Sequence, residues 1–225
     1  MLNISISQDA QIAYPDLRIG VLLITNVDNR FLNDNLRFPC SQLQDQLFNL
    51  YGSYSRKELS EIATLMEYSK YYKKFGKTYH VLLQLESIAH KQKSIPEISP
   101  LIQAMFMAEI ENMILTAGHD YDTIQGPIVI DVAQGNEEYQ LMSGDLKQIQ
   151  KNDLYIRAND NIISSIIYGP DRNTKISDKT RNALYTSYVP FEMGEAIIKS
   201  HLAKIAGYIN NTQANAKVEY LNVIT

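Results

Sequence analysis

"TAGHDYDTIQGPIVID", residues 116–131, is where the character of this chain changes. Before it, apolar residues recur at helical spacing; after Gly118 come short β-rich runs parted by Gly, Asn and Asp turns. The stretch also sets His119 beside Asp120 and Asp122. Two carboxylates and an imidazole can hold a divalent metal or activate water if they converge. In a strand, however, Asp120 and Asp122 share one face and the residue between them points away. No second histidine lies at ligand spacing, since His80, His90 and His201 are scattered. The simpler account is a polar turn holding His119, with Asp120 or Asp122 satisfying backbone donors before a strand begins. No metal is expected.

Upstream, "NISI" and "RIGVLLITNV" read as strands, the second apolar enough to be buried on both faces. "SQLQDQLFNLYG" reads as a short helix ending at Gly52. "SRKELSEIATLMEYSKYYKKFG" reads as one long helix, with Ser55 and Glu58 at capping-box spacing and Leu59, Ile62, Leu65 and Met66 recurring on one face. "HVLLQLESIAHKQ" continues in helical style. Ser99 and Pro100 then open a helix, "PLIQAMFMAEIENMILTAG", apolar nearly all round. Downstream, "GPIVIDVA", "EEYQLM", "DLYIRA", "IISSIIYG" and "NALYTSYVP" are strand-like, "GEAIIKSHLAKIAGYI" is helical and "KVEYLNVI" is a last strand. Helices first and strands later predict an α+β fold, a layered mixed sheet system with flanking helices, in a single domain over residues 1–225.

The 225 residues are 45% hydrophobic and 20% charged, an ordinary globular composition. A net charge of -4 argues against a global positive field, so nucleic-acid contact needs a local basic patch and DNA is not expected as a partner. The one cysteine, Cys40, excludes an intramolecular disulfide and fits a reducing compartment. The first residues lack the pattern of a secretory signal, and no window reaches the roughly 18 apolar residues of a membrane helix. A soluble cytoplasmic protein with no membrane partner and no cofactor is the expectation. Phosphate-binding glycine loops, paired CxxC motifs and GxSxG elbows are absent from the sequence.

Two polar stretches stand out. "KYYKKFGK", residues 70–77, interleaves Lys70, Lys73, Lys74 and Lys77 with aromatic rings. It suits phosphates and unpaired bases, or else a helix end with its rings packed inward. "YGPDRNTKISDKT", residues 168–180, suits a ligand pocket or, equally, a solvated hairpin connection. Arg172 and Lys175 there can hold an anion, and Thr174, Ser177 and Thr180 can donate.

Taken in order from about Tyr72 to Pro190, these stretches resemble the free-standing form of the editing, tRNA-binding B3/B4 domain of the phenylalanyl-tRNA synthetase beta subunit. "YYKKFGK" is similar to the family's Tyr-Lys-x-x-Gly-Lys segment. "HDYDTIQGPIVIDVAQGNEEYQLM" is similar to its Asp-x-Asp, turn and strand run. "IISSIIYGPDRNTKISDKTRNALYTSYVP" resembles its Gly loop, Thr-rich turn and strand. Two departures are plain: Ala117 stands where the family has a histidine, and Lys175 falls near its pocket glutamate.

The resemblance implies contact with the aminoacylated 3' end of tRNA. It implies hydrolysis in trans of a mischarged aminoacyl ester, by a chain with no synthetase activity of its own. It makes His119, Asp120, Asp122, Thr174 and Lys175 candidate catalytic residues, with His119 at the pocket rim. Gly126, Tyr168, Gly169, Asp171, Arg172, Thr180, Tyr185 and Ser187 become candidate substrate-binding residues, and the four lysines contact phosphates. An aminoacyl ester needs no strong nucleophile, so a positioned water and oxyanion donors suffice, with backbone amides of residues 169–174 as the natural donors. The rival expectation is a non-catalytic module binding tRNA or a small amino-acid-like ligand.

Overall fold

The computed structural model describes residues 2–30, 36–213 and 215–225. Strands β2 (Arg18–Thr25), β3 (Thr116–Asp120), β10 (Ala183–Val189) and β11 (Lys217–Ile224) form an antiparallel sheet in the order β11-β2-β10-β3. Strands β1 (Ile4–Ile6), β4 (Ile128–Val132), β7 (Leu154–Ala158), β8 (Asn161–Ser165) and β9 (Gly169–Pro170) form a second sheet in that order, with β1 parallel to β4 and the rest antiparallel. A hairpin of β5 (Glu138–Gln140) and β6 (Leu146–Gln148) stands apart. The helices are α1 (Gln8–Ala13), α2 (Arg37–Tyr51), α3 (Arg56–Ser60), α4 (Ala63–Lys74), α5 (His80–Ala89), α6 (Pro100–Asn112) and α7 (Glu195–Asn210). The fold is α+β, as expected.

The apolar run of β2 is paired on both edges and covered on both faces. Ile19, Val21 and Leu23 enter the main core with Leu184 and Tyr188 of β10. Leu22 and Ile24 enter a second cluster with Ala183 and Tyr185, sealed by α6 and α7. Alternation along β10 therefore sends Tyr188 to one layer and Tyr185 to the other. Gly20 lets α7 come close, since a β-carbon there would lie 2.6 Å from Ile198 Cγ2.

The long helix expected after Ser55 is two helices. The capping box forms: Ser55 Oγ accepts from Glu58 N at 3.3 Å and Glu58 Oε2 accepts from Ser55 N at 2.7 Å. The chain then leaves helical conformation at Ile62 (ψ 125°) and restarts as α4. At about 100° per residue, an unbroken helix would set Leu59 on the face opposite Tyr68. The break lets Leu59 be buried together with Leu65, Tyr68, Tyr71 and Tyr72. Met66, expected on the apolar face, is 38% exposed.

The helix expected to reach Gly118 stops earlier. Met113 caps α6 in the left-handed region (φ 61°), and residues 116–120 are already strand. Two short strands, β6 and β9, and the small helix α1 were not foreseen. No helix among the described residues is long and apolar enough to cross a membrane.

Candidate functional site

A cavity of about 340 Å³ opens where α4, α5 and α6 meet β3, β10 and the β8–β9 turn. Tyr72, His80 and Glu109 come from the three helices. Ala117 comes from β3, Tyr168 from the β8–β9 turn, Gly169 from β9 and Tyr188 from β10. Met105, Phe106, Leu115 and Ile167 add apolar wall.

Its polar groups are unusual in their bonding. Tyr188 is 1% exposed and its hydroxyl has no hydrogen-bond partner among the described residues, nor has Gln84 Oε1. Burial raises the Tyr188 phenol to about 12, with the nearby Ser164 and Thr186 hydroxyls opposing. It is therefore a neutral donor at ordinary pH. The Tyr72 hydroxyl donates to Ile166 O at 3.1 Å, and burial, then Glu109, holds that phenol above its usual range. Behind the cavity, Asp153 accepts from Tyr71 Oη at 2.8 Å and from Ile167 N at 3.4 Å. Burial raises its carboxyl to about 7.

Two of the expected binding residues, Tyr168 and Gly169, line this cavity. Gly169 has φ 79°, which fits glycine, and its carbonyl accepts from Tyr139 Oη at 2.7 Å.

The trio of the opening stretch does not converge. His119 lies in β3 rather than in a turn, is 0% exposed, and does not reach the cavity rim. Thr174 Oγ1 donates to Asp171 Oδ1, so His119 Nδ1–H donates to Thr174 Oγ1 at 2.8 Å. Burial lowers the imidazole to about 4, and Nε2 is left without a partner. Asp120 instead caps a 3-10 turn, accepting from Asp122 N at 3.2 Å and from Thr180 Oγ1 at 2.8 Å. Asp122 accepts from Asn182 Nδ2 at 2.7 Å. These residues clasp the 171–182 segment to β3. Among the described residues no three His, Cys, Asp or Glu side chains form a metal-binding group.

Of the expected oxyanion amides, those of residues 171–174 are engaged. Asp171 N donates to Ile163 O, Arg172 N to Gln140 O, and Asn173 N and Thr174 N to the Asp171 carboxylate. Asp171 and Thr174 instead border a separate polar cleft of about 290 Å³. Gly126 packs against the Asn159 amide at φ 79°. Arg172 and Lys175 are exposed.

Tyr185 and Ser187 are on the other face of β10. Tyr185 Oη donates to Leu101 O at 3.0 Å, and Ser187 Oγ bonds Thr116 Oγ1 at 2.9 Å. The wall residue on that strand is Tyr188, one position on. Lys70, Lys73 and Lys77 line a third cleft, about 410 Å³, with Arg56. Lys70 pairs with Glu67 at 2.5 Å, while Lys74 lies over the Tyr14 and Tyr71 rings at 5.3 and 5.8 Å. The rings of "KYYKKFGK" pack inward and the lysines face out, except that Lys74 lies along the rings. Cys40 is buried and accepts from Gln103 Nε2 at 2.9 Å, with its thiol pushed up by burial.

Residues missed from sequence are His80, Glu109 and Tyr188. Each sits in an element read as structural, and only the meeting of those elements makes them neighbours.

No curated protein matches this sequence. An N-terminal fragment of the phenylalanyl-tRNA synthetase beta-subunit from Pyrococcus horikoshii shares the fold, with a TM-score of 0.50 at 8% identity over 96% of this chain and 50% of the fragment. The chain thus spans about half the length of that structure. The B3/4 domain pattern matches residues 67–193, which supply the cavity's lining and the clasp from β3 to the 171–182 segment. The match covers more than half of the sequence, and the chain belongs to the B3/4 domain family.

Proposed function

We propose that this chain binds RNA, taking the aminoacylated end of a tRNA into the cavity beneath Tyr188 and hydrolysing a mischarged ester in trans. Family and fold support the tRNA partner. The observation that carries the chemistry is Tyr188, a neutral phenol in the cavity wall whose hydroxyl meets no acceptor at hydrogen-bond distance among the described residues, with Ser164 and Thr186 as its polar neighbours. A developing oxyanion is the acceptor such a donor lacks. The ester is already activated, so a water held against the carbonyl completes the requirement. Lys73 and Lys77 border the third cleft, lie between Tyr72 and His80 in the chain, and would meet backbone phosphates.

The test is a deacylation time course over mischarged and correctly charged tRNAs, for the wild type and Tyr188→Phe. We expect one mischarged species to be hydrolysed selectively, and the variant to be slower by on the order of 100-fold with an unchanged melting temperature. Charged tRNA bound without acceleration of any ester would make the chain a binding module. Ala117, where the resemblance expects a histidine, is the residue that favours this second reading.

A further inference from the structure

We infer that Glu109 and His80 form an anchor for the free α-ammonium of an aminoacyl group with an apolar side chain. The inference rests on the cavity being the substrate site. Glu109 is 4% exposed and sits in the last turn of α6. A carboxylate taken out of water needs hydrogen bonds or a counter-charge. Its compensation is incomplete. Oε1 accepts from Thr116 N at 3.0 Å, but Oε2 makes no hydrogen bond among the described residues and faces His80 Nε2 at 3.9 Å.

The imidazole's orientation follows from its other nitrogen. His80 Nδ1 faces Tyr72 Oη at 3.5 Å, and that hydroxyl already donates to Ile166 O. It is left to accept, so Nδ1 carries a proton, and in the neutral ring Nε2 presents a lone pair. Two acceptors, one of them anionic, then face each other across 3.9 Å at the cavity wall. A cationic N–H donor bridges such a pair, and an anion or a carbonyl does not. Beyond the anchor lie Met105, Phe106 and Leu115, which suit an apolar side chain. Tyr188 lines the same space. One aminoacyl group therefore has a partner for its ammonium and an apolar wall for its side chain.

Binding of L-leucinamide, L-methioninamide and L-phenylalaninamide, each with its N-acetyl form, is measured by calorimetry or NMR titration. These probes carry the ammonium but no ester, so they read the anchor independently of hydrolysis. The wild type is expected to prefer the free amine by about 10- to 100-fold, the loss of one charge-assisted hydrogen bond. Glu109→Gln keeps the acceptor for Thr116 N and is expected to erase that preference. His80→Ala, at a half-exposed position, is expected to reduce it without a change in melting temperature. Equal binding of free and acetylated probes by the wild type, or a preference that survives in Glu109→Gln, would overturn the anchor. A preference with no tRNA deacylation in the parallel assay keeps the anchor and removes the hydrolytic reading; deacylation indifferent to N-acetylation of the substrate does the reverse.

Discussion

Asp153 shows how much a single residue's surroundings can decide. It is 0% exposed, and burial raises its carboxyl to about 7, against about 3.9 in an unfolded chain. The folded state therefore holds this proton more tightly, and the carboxyl's contribution to stability falls as pH rises from about 4 to 7. His119 and His201 act in the opposite sense. Burial lowers them to about 4 and about 3, so their contribution is lost as pH falls below about 6.5. Asp153→Asn should remove only the first effect. Its melting temperature relative to wild type should rise between pH 5 and pH 8, by an amount equivalent to a few kcal/mol at most. A pH-independent difference between the two would show that the carboxyl does not titrate in this range. At this scale the sequence was a poor guide. "QKND" carries no sign that its aspartate will be buried, and His119 drew notice for neighbours it does not work with.

Among the elements, β3 and the 171–182 segment are joined by side chains as well as by backbone bonds, Asp120 N donating to Thr174 O at 2.7 Å. Thr180 Oγ1 donates to Asp120 and accepts from Ser177 N at 2.9 Å. Thr180→Val leaves both partners unsatisfied, so a loss of about 2–4 kcal/mol is expected in denaturant unfolding. Deacylation per folded molecule should be unchanged, because none of this group lines the cavity. Element type was legible wherever apolar period and punctuation agreed, as in β2, β4, β10, α5 and α7. Two errors have a common cause. The run from Ser55 to Gly76 contains two apolar stripes about 180° apart, and only packing tells which residue breaks the helix. Likewise Tyr185, Ser187 and Tyr188 share one strand, and a shift of one residue moves a side chain to the other face. Of the site residues named from the family resemblance, Tyr168 and Gly169 line the cavity, while the facing of each side chain came from the sheets that enclose it.

For the whole molecule, a formal charge of -4 hides a local excess of cations at the α4 terminus. Any RNA affinity should therefore be steeply salt-dependent although the protein is acidic overall. Lys73→Ala with Lys77→Ala should weaken tRNA binding similarly for all tRNAs, and flatten the slope of log K against log salt by about 1 to 2. An unaltered slope would place the phosphate contacts elsewhere.

The central place of β2 has a consequence for the making of the protein. Ile24 pairs with Ala183 and Thr25 with Lys217, so both neighbours of this strand are translated long after it. At roughly 5–20 residues per second, an apolar strand with two open edges waits on the ribosome for on the order of ten seconds. Open edges of that kind recruit other nascent chains. The late closing of this sheet is then an interval in which native protein can be lost, and binding of a chaperone to Arg18–Thr25 of the nascent chain is expected to raise the yield.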